Sequence, residues 1–298
     1  MKSKLCISLI SMSLGLLVMF FACSKAKNSQ PDPSDPNNDT GNVRIKTTPG
    51  CTAAPDYGDS IIYTKYKGPS NDYTIKPKND TVGGRYIFWP DGLVIDSATG
   101  VINVTQSETG VRYNIGFIKT GTQDTCISPL ILAGITYVDS IYVLDKNDTL
   151  ATPIYNSNPL TPPVCDNSDD TDYPGNGGHG NTKCEFDIEP GSNANQKGVR
   201  VRTISGIINL KKTLADGAFG STTPANGTTA SVQLLYRLND ASAKALQRIQ
   251  VQLVYYEHLS DVPTSLRNDI TVKRNNFLNY RIVNGKPRPP LLVIVLYN

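Results

Sequence analysis

Apolar residues along the chain come in short runs separated by glycine, proline, asparagine and aspartate, a rhythm of strands and turns. Runs at residues 60–64, 85–89, 112–118 and 135–144 predict strands in the first half. In the second half residues 199–210, 231–238 and 247–257 do the same, as does the apolar run Leu291–Tyr297. That run is too short to cross a bilayer as a helix, and its β-branched residues suit a buried strand. Two short helices interrupt the pattern. Residues 240–246 open on an Asn-Asp capping signal and are rich in alanine, and residues 263–272 open on a proline suited to a first helical turn. The clearest local unit is a hairpin at residues 93–102. Its loop starts at Asp96, whose carboxylate can accept backbone N–H groups, and ends at Gly100, which takes a positive φ without a Cβ clash.

Three stretches fall outside this rhythm. Residues 5–21 carry no charge and follow Lys2 and Lys4, the pattern of a signal peptide over residues 1–22. A transmembrane anchor is the competing reading, but 17 residues at about 1.5 Å each reach roughly 25 Å, short of a hydrocarbon core. Residues 24–42 hold no large apolar side chain and three prolines, so they predict an extended tether, which at about 3.1 Å per residue reaches on the order of 50–60 Å. Residues 156–183, rich in proline, glycine and aspartate, predict a linker or a disulfide-closed loop.

Phe20-Phe21-Ala22-Cys23 resembles the lipobox of bacterial lipoproteins, in the Phe-rich form of Bacteroidota. The resemblance implies a lipid on Cys23, membrane attachment through it, and a cell-envelope location compatible with the outer membrane and surface exposure. Residues 90–93, 96–102 and 110–117 follow the pattern Pro-x-Gly-Leu, Asp-x-x-Thr-Gly-x-Ile and Gly-x-Tyr. They are similar to immunoglobulin-like domains of bacterial surface proteins, over roughly residues 57–143. That resemblance implies a cadherin-like or immunoglobulin-like sandwich; such domains serve as adhesion modules, spacers and enzyme appendages alike. The expected fold is mainly β: an Ig-like β-sandwich at residues 43–155, the linker at 156–183, and a second β-rich domain with one or two short helices at 184–298.

Composition narrows the function classes. Twenty-four glycines, 20 prolines and 15 tyrosines favour turns and strands over long helices. Without Lys2 and Lys4 the balance is 29 − 2 = 27 basic against 26 acidic residues, which leaves no nucleic-acid footprint. Beyond Cys6 and Cys23, four cysteines remain, and an oxidising envelope makes two disulfides of them. Of three pairings we favour Cys51 with Cys126 and Cys165 with Cys184, since each lies within or beside one domain. Zinc is the disfavoured alternative, because no cysteine pair has close ligand spacing and only His179 and His258 could assist.

No catalytic residue and no cofactor are assigned. His179 lies in a glycine-rich loop, His258 follows a strand, and neither neighbours a nucleophile elbow. Acidic residues such as Asp91, Asp96, Asp145 and Asp148 sit in turns, so a carboxylate-pair hydrolase in the second half is the least favoured reading. Asp166, Asp170 and Asp172 alternate as in a calcium loop, yet Thr171 replaces the glycine and Gly177 the bidentate glutamate of an EF-hand. A solvated linker is the preferred reading, weak calcium binding the alternative. Trp89 with Tyr86, and Tyr255 with Tyr256, are candidates for sugar stacking, against core packing. Asp-Ser or Asp-Thr before an apolar residue, at positions 59–61, 80–82, 96–98, 139–141 and 148–150, is similar to an envelope O-glycosylation signal or simply opens strands. The expected function is therefore non-catalytic display for adhesion or ligand binding, with a glycan or another surface protein as partner. A glycan-binding accessory role in nutrient uptake is the alternative. The lipid assignment is open to a direct check. Replacing Cys23 with alanine is expected to abolish incorporation of an alkyne-tagged fatty acid in the native host, and undiminished labelling would rule Cys23 out as the anchor.

Overall fold

The computed structural model describes residues 53–278, except 69, 80–82, 90–91, 123–124, 159, 161–162, 164, 166–183 and 188–193, together with residues 290–298. All belong to one unit, Asn42–Asn298. The first sandwich uses β1 (Ile61–Ile62), β2 (Thr74–Ile75), β3 (Gly84–Trp89), β4 (Ile102–Asn103), β5 (Val111–Lys119) and β6 (Thr125–Leu132). One sheet has the order β1-β6-β5-β3, with β1 parallel to β6 and the other neighbours antiparallel. The pair β2-β4 forms a second, two-stranded sheet. The two sheets share one apolar core. Tyr86, Ile102, Tyr113, Ile115, Phe117 and Leu132 are buried together in it.

The predicted hairpin forms. The Asp96 carboxylate accepts the N–H groups of Thr99 and Ala98, which hold it below the usual carboxylate range. Gly100 has φ +70° and lies beneath the Tyr86 ring, where a Cβ would collide. The Tyr57 hydroxyl donates to the Gly100 carbonyl at 2.7 Å.

The second sandwich begins earlier than composition suggests. It comprises β7 (Gly134–Thr136), β8 (Ser140–Val143), β9 (Leu150–Ala151), β10 (Ile154–Asn156), β11 (Glu185–Phe186), β12 (Ile208–Asn209), α1 (Leu210–Ala215), β13 (Thr229–Arg237), β14 (Gln247–His258), α2 (Thr264–Leu278) and β15 (Leu291–Tyr297). Ile135, Tyr137, Leu144 and Ala151 share a core with Phe186, Leu234 and Ile294. Residues on either side of the expected 155/156 boundary thus share one sheet and one core, and residues 157–184 lie between β10 and β11 in sequence. Three local expectations are also corrected. Residues 135–144 break into β7 and β8, since the Tyr137 side chain turns inward to donate to the Gly206 carbonyl at 2.5 Å. Residues 199–210 fold back at Gly206, with Val201 bridging Ile208, before Asn209 caps α1. Residues 240–246 are a turn and no helix: the Asp240 carboxylate takes the Ser242 N–H, and Ala243 and Lys244 are left-handed. The helix expected at 263–272 forms as α2, directly after Pro263.

The two sandwiches are copies of one plan. Tyr57-x-Asp-Ser-Ile61 recurs as Tyr137-x-Asp-Ser-Ile141, and the hairpin from Gly92 to Asn103 recurs from Gly198 to Asn209. The hydrogen bonds recur with it. Tyr57 binds the Gly100 carbonyl as Tyr137 binds that of Gly206. The Tyr86 N–H donates to Ser97 as that of Phe186 does to Thr203. Ser107 receives the Val94 N–H as Thr213 receives that of Arg200. The Asn103 carboxamide takes the Gln106 N–H, and the Asn209 carboxamide the Lys212 N–H. Pairing of Ile75 with Ile102 matches that of Ala151 with Ile208.

One difference separates the copies. In the first, β1 pairs directly with β6. In the second, the corresponding β8 and β14 are held apart by β15, which runs parallel to both in the order β11-β13-β14-β15-β8. Alternate residues of β15 face two cores: Leu292 and Ile294 one, Leu291, Val293 and Val295 the other, under α2. Burying these five stabilises by on the order of 10 kcal/mol, as much as a typical domain's whole net stability. The hairpin glycines give a graded test. Gly206→Ala, which places a Cβ against the Phe186 ring at positive φ, is expected to cost about 3 kcal/mol in urea unfolding. Gly121→Ala, at φ +82° with open space around it, is expected to cost about 1 kcal/mol. Equal losses would refute the role given to the ring.

Candidate functional site

Tyr236 occupies in β13 the place that Phe117 occupies in β5. Tyr86 packs on Phe117 with ring centroids 5.1 Å apart, and Phe186 packs on Tyr236 at 5.8 Å. The extra oxygen joins the two copies. The Ile135 N–H donates to the Tyr236 hydroxyl at 3.0 Å, and that hydroxyl lies 2.5 Å from the Thr109 Oγ1. Thr109 donates its own proton to the Arg248 carbonyl, so Tyr236 must be the donor in their contact. The result is a continuous donor chain from a β7 amide through two hydroxyls to a β14 carbonyl. Around it, Gly134 and Gly110 let the backbone approach; a Cβ on either would strike the Tyr236 hydroxyl or the Ile135 carbonyl. Asn156 closes the seam, donating to the Gly110 carbonyl and accepting from the Arg112 Nε. Burial pushes the Tyr236 phenol well up, so it stays protonated and able to donate.

Of the aromatic candidates, three are taken up by packing. Tyr86 is buried against Phe117, Tyr255 is buried with its ring 6.1 Å from Phe219, and Tyr256 is buried beneath α2. Of the two readings open for them, core packing and sugar stacking, these positions follow core packing. Trp89 is half-buried at the end of β3, a six-residue edge strand. A second surface was not foreseen. Lys65 and Lys67 each place Nζ 5.7 Å from the Tyr73 ring centroid, and Tyr66 between them in sequence is 69% exposed. Two ammonium groups held on one ring beside a free phenol make a face suited to anionic or hydroxyl-rich polymers. Lys-Tyr-Lys beside Tyr73 is the sequence signal for it, and it reads as an ordinary solvated strand end.

Cys165 and Cys184 are joined as expected, with Cα atoms 5.1 Å apart. Cys126 is also disulfide-bonded, while Cys51, its expected partner, lies outside the described residues. Cys23, His179 and the calcium candidates Asp166, Asp170 and Asp172 lie outside them too. His258 is exposed, with its ring 5.5 Å from that of Tyr297. Among the described residues no three His, Cys, Asp or Glu side chains converge as metal ligands. The aspartates of the Asp-Ser motifs act as acceptors: Asp59 locally for the Ile61 N–H, Asp96 within its turn, and Asp139 across the fold for the Leu291 N–H. Ser60 and Ser97 are exposed, whereas Ser140 is buried and receives an Arg274 hydrogen bond.

No protein-family model matches the chain, and no curated protein matches it. The junction supplies its own test. Tyr236→Phe restores the residue type of the first copy but orphans the Ile135 amide, and is expected to cost about 1–3 kcal/mol in equilibrium unfolding. An unchanged midpoint would remove the hydroxyl from any part in joining the copies.

Proposed function

We propose that this chain is a non-catalytic, lipid-anchored cell-envelope protein that displays two immunoglobulin-like modules for adhesion or ligand capture. The observation carrying this reading is the Tyr236 hydroxyl chain, whose buried hydrogen bonds join the two sandwiches and would stiffen their junction. A binding surface on a stiff body loses little freedom when it engages a partner, so more of its contact energy appears as affinity. The buried polar groups of the junction serve packing, and the strongly displaced phenols, Tyr57, Tyr137 and Tyr236, are raised chiefly by burial. Such groups are structural. The lipobox resemblance at Cys23 and the proline-rich tether behind it support a location at the membrane surface.

A second reading, glycan binding as an accessory to uptake, is favoured by Trp89 on the β3 edge and by the basic aromatic face at Lys65, Tyr66 and Lys67. Binding to a glycan array separates the two. Trp89→Ala is expected to weaken a glycan signal about tenfold, the loss of one anchoring aromatic. Identical signals for both proteins on glycans, with retained adhesion to whole cells, would leave adhesion as the role and end the glycan reading.

A further inference from the structure

The second copy contains an element that the sandwich plan does not itself require. In the first copy, Ile61 pairs with Ile131 and Ile62 with Leu132, and the sheet closes with no strand between β1 and β6. In the second copy, β15 fills a slot between β8 and β14, pairing Leu292 with Ser140 on one side and with Leu253 on the other. The slot is built to hold a strand at both ends. The Asp139 carboxylate accepts the Leu291 N–H at 2.9 Å, and the Asp145 carboxylate accepts the Asn298 N–H at 3.1 Å. It is apolar on both faces, with Ile249, Val251 and Leu253 on one side of the sheet and Val254, Val262 and Ile270 on the other.

We infer that this slot is a strand-acceptor groove between copies of the chain: Leu291–Tyr297 of one copy enters between β8 and β14 of a second. Three observations support that occupant. The slot matches this strand in length, register and end contacts. Backbone ladders and apolar contacts are the same whichever copy supplies β15, so exchange leaves the interface energy unchanged and depends on the connection and the protein concentration. The connection is residues 279–290, 12 residues, with a reach of up to about 40 Å when extended. Reciprocal exchange also leaves no open edge, since each slot is filled and each donor strand buried.

The open end of the ladder allows a test that leaves the core untouched. His258 pairs with Tyr297, both exposed, and neighbouring strands hold paired Cα atoms within disulfide range. Two full-length chains with different tags, one carrying His258→Cys and the other Tyr297→Cys, are refolded together under oxidising conditions. Neither can close this bond within itself, so a disulfide-linked dimer bearing both tags is the expected product. A chain carrying both substitutions is the control for geometry. Native mass spectrometry of the unaltered protein, isotopically heavy and light pools refolded together, reads the same exchange with no cysteine introduced and is expected to give a dimer of mixed mass. Monomer alone in that spectrum overturns the inference, and so does a dimer whose tagged variants form no mixed disulfide while the double variant closes within one chain.

Discussion

One hydroxyl group ties this molecule together. Tyr236 Oη sits where the two sandwiches meet, accepts the Ile135 N–H of β7 and donates to Thr109, which donates to the Arg248 carbonyl of β14. Ile135, Tyr236 and Thr109 are buried, so each needs the next; a gap would leave a buried donor or acceptor without compensation. The two glycines beside it arise from the same demand, because hydrogen-bond distance between two backbones and a phenol leaves no volume for Cβ atoms. The seam is thus specified by polarity and by missing side chains, and the apolar cores on either side are free to form independently.

The duplicated plan shows how much of one β-rich unit resides in one turn. Both copies place a left-handed glycine under an aromatic ring, bind its carbonyl with a tyrosine, and use an asparagine at the hairpin's end to cap the next turn of backbone. These are local, directional interactions, and they persist where the rest of the sequence has drifted. Sheet closure is different. It depends on apolar area, which either β1 against β6 or a strand inserted between β8 and β14 can supply.

Legibility followed the same division. The hairpin at residues 93–102 was readable because Asp96 and Gly100 fix it through their own chemistry, and Leu291–Tyr297 because a continuous apolar run needs two covered faces. The helix after Pro263 was readable from its start signal. Residues 156–183 were legible only as a linker or a disulfide-closed loop, because composition reports turns and does not separate the two; the Cys165–Cys184 bond accords with the second. The duplication hid because its hairpin has drifted, with Arg202 where the first copy has Asp96, and because the connection between its two motifs is longer in the second copy. Residues 240–246 misled because alanine-rich sequence favours helix only if no side chain captures the first amides, and Asp240 does. Aromatic positions stayed open between core packing and sugar stacking because alternation along a strand does not say which faces are later covered, and Tyr255 and Tyr256 lie in opposite cores.

The pairing of β8 with β15 joins residues 140–143 to residues 292–295. A chain that emerges from its N-terminal end can complete the first sandwich once residue 132 is out, but β8 gains its neighbour only after more than half the sequence has emerged behind it. Closing so long a loop is slow, and domains order themselves as their last contact becomes available. Assembly therefore has a fixed sequence, first module early and second module late, and for an interval the late module exposes two unpaired strand edges that only a chaperone or a neighbouring chain can cover.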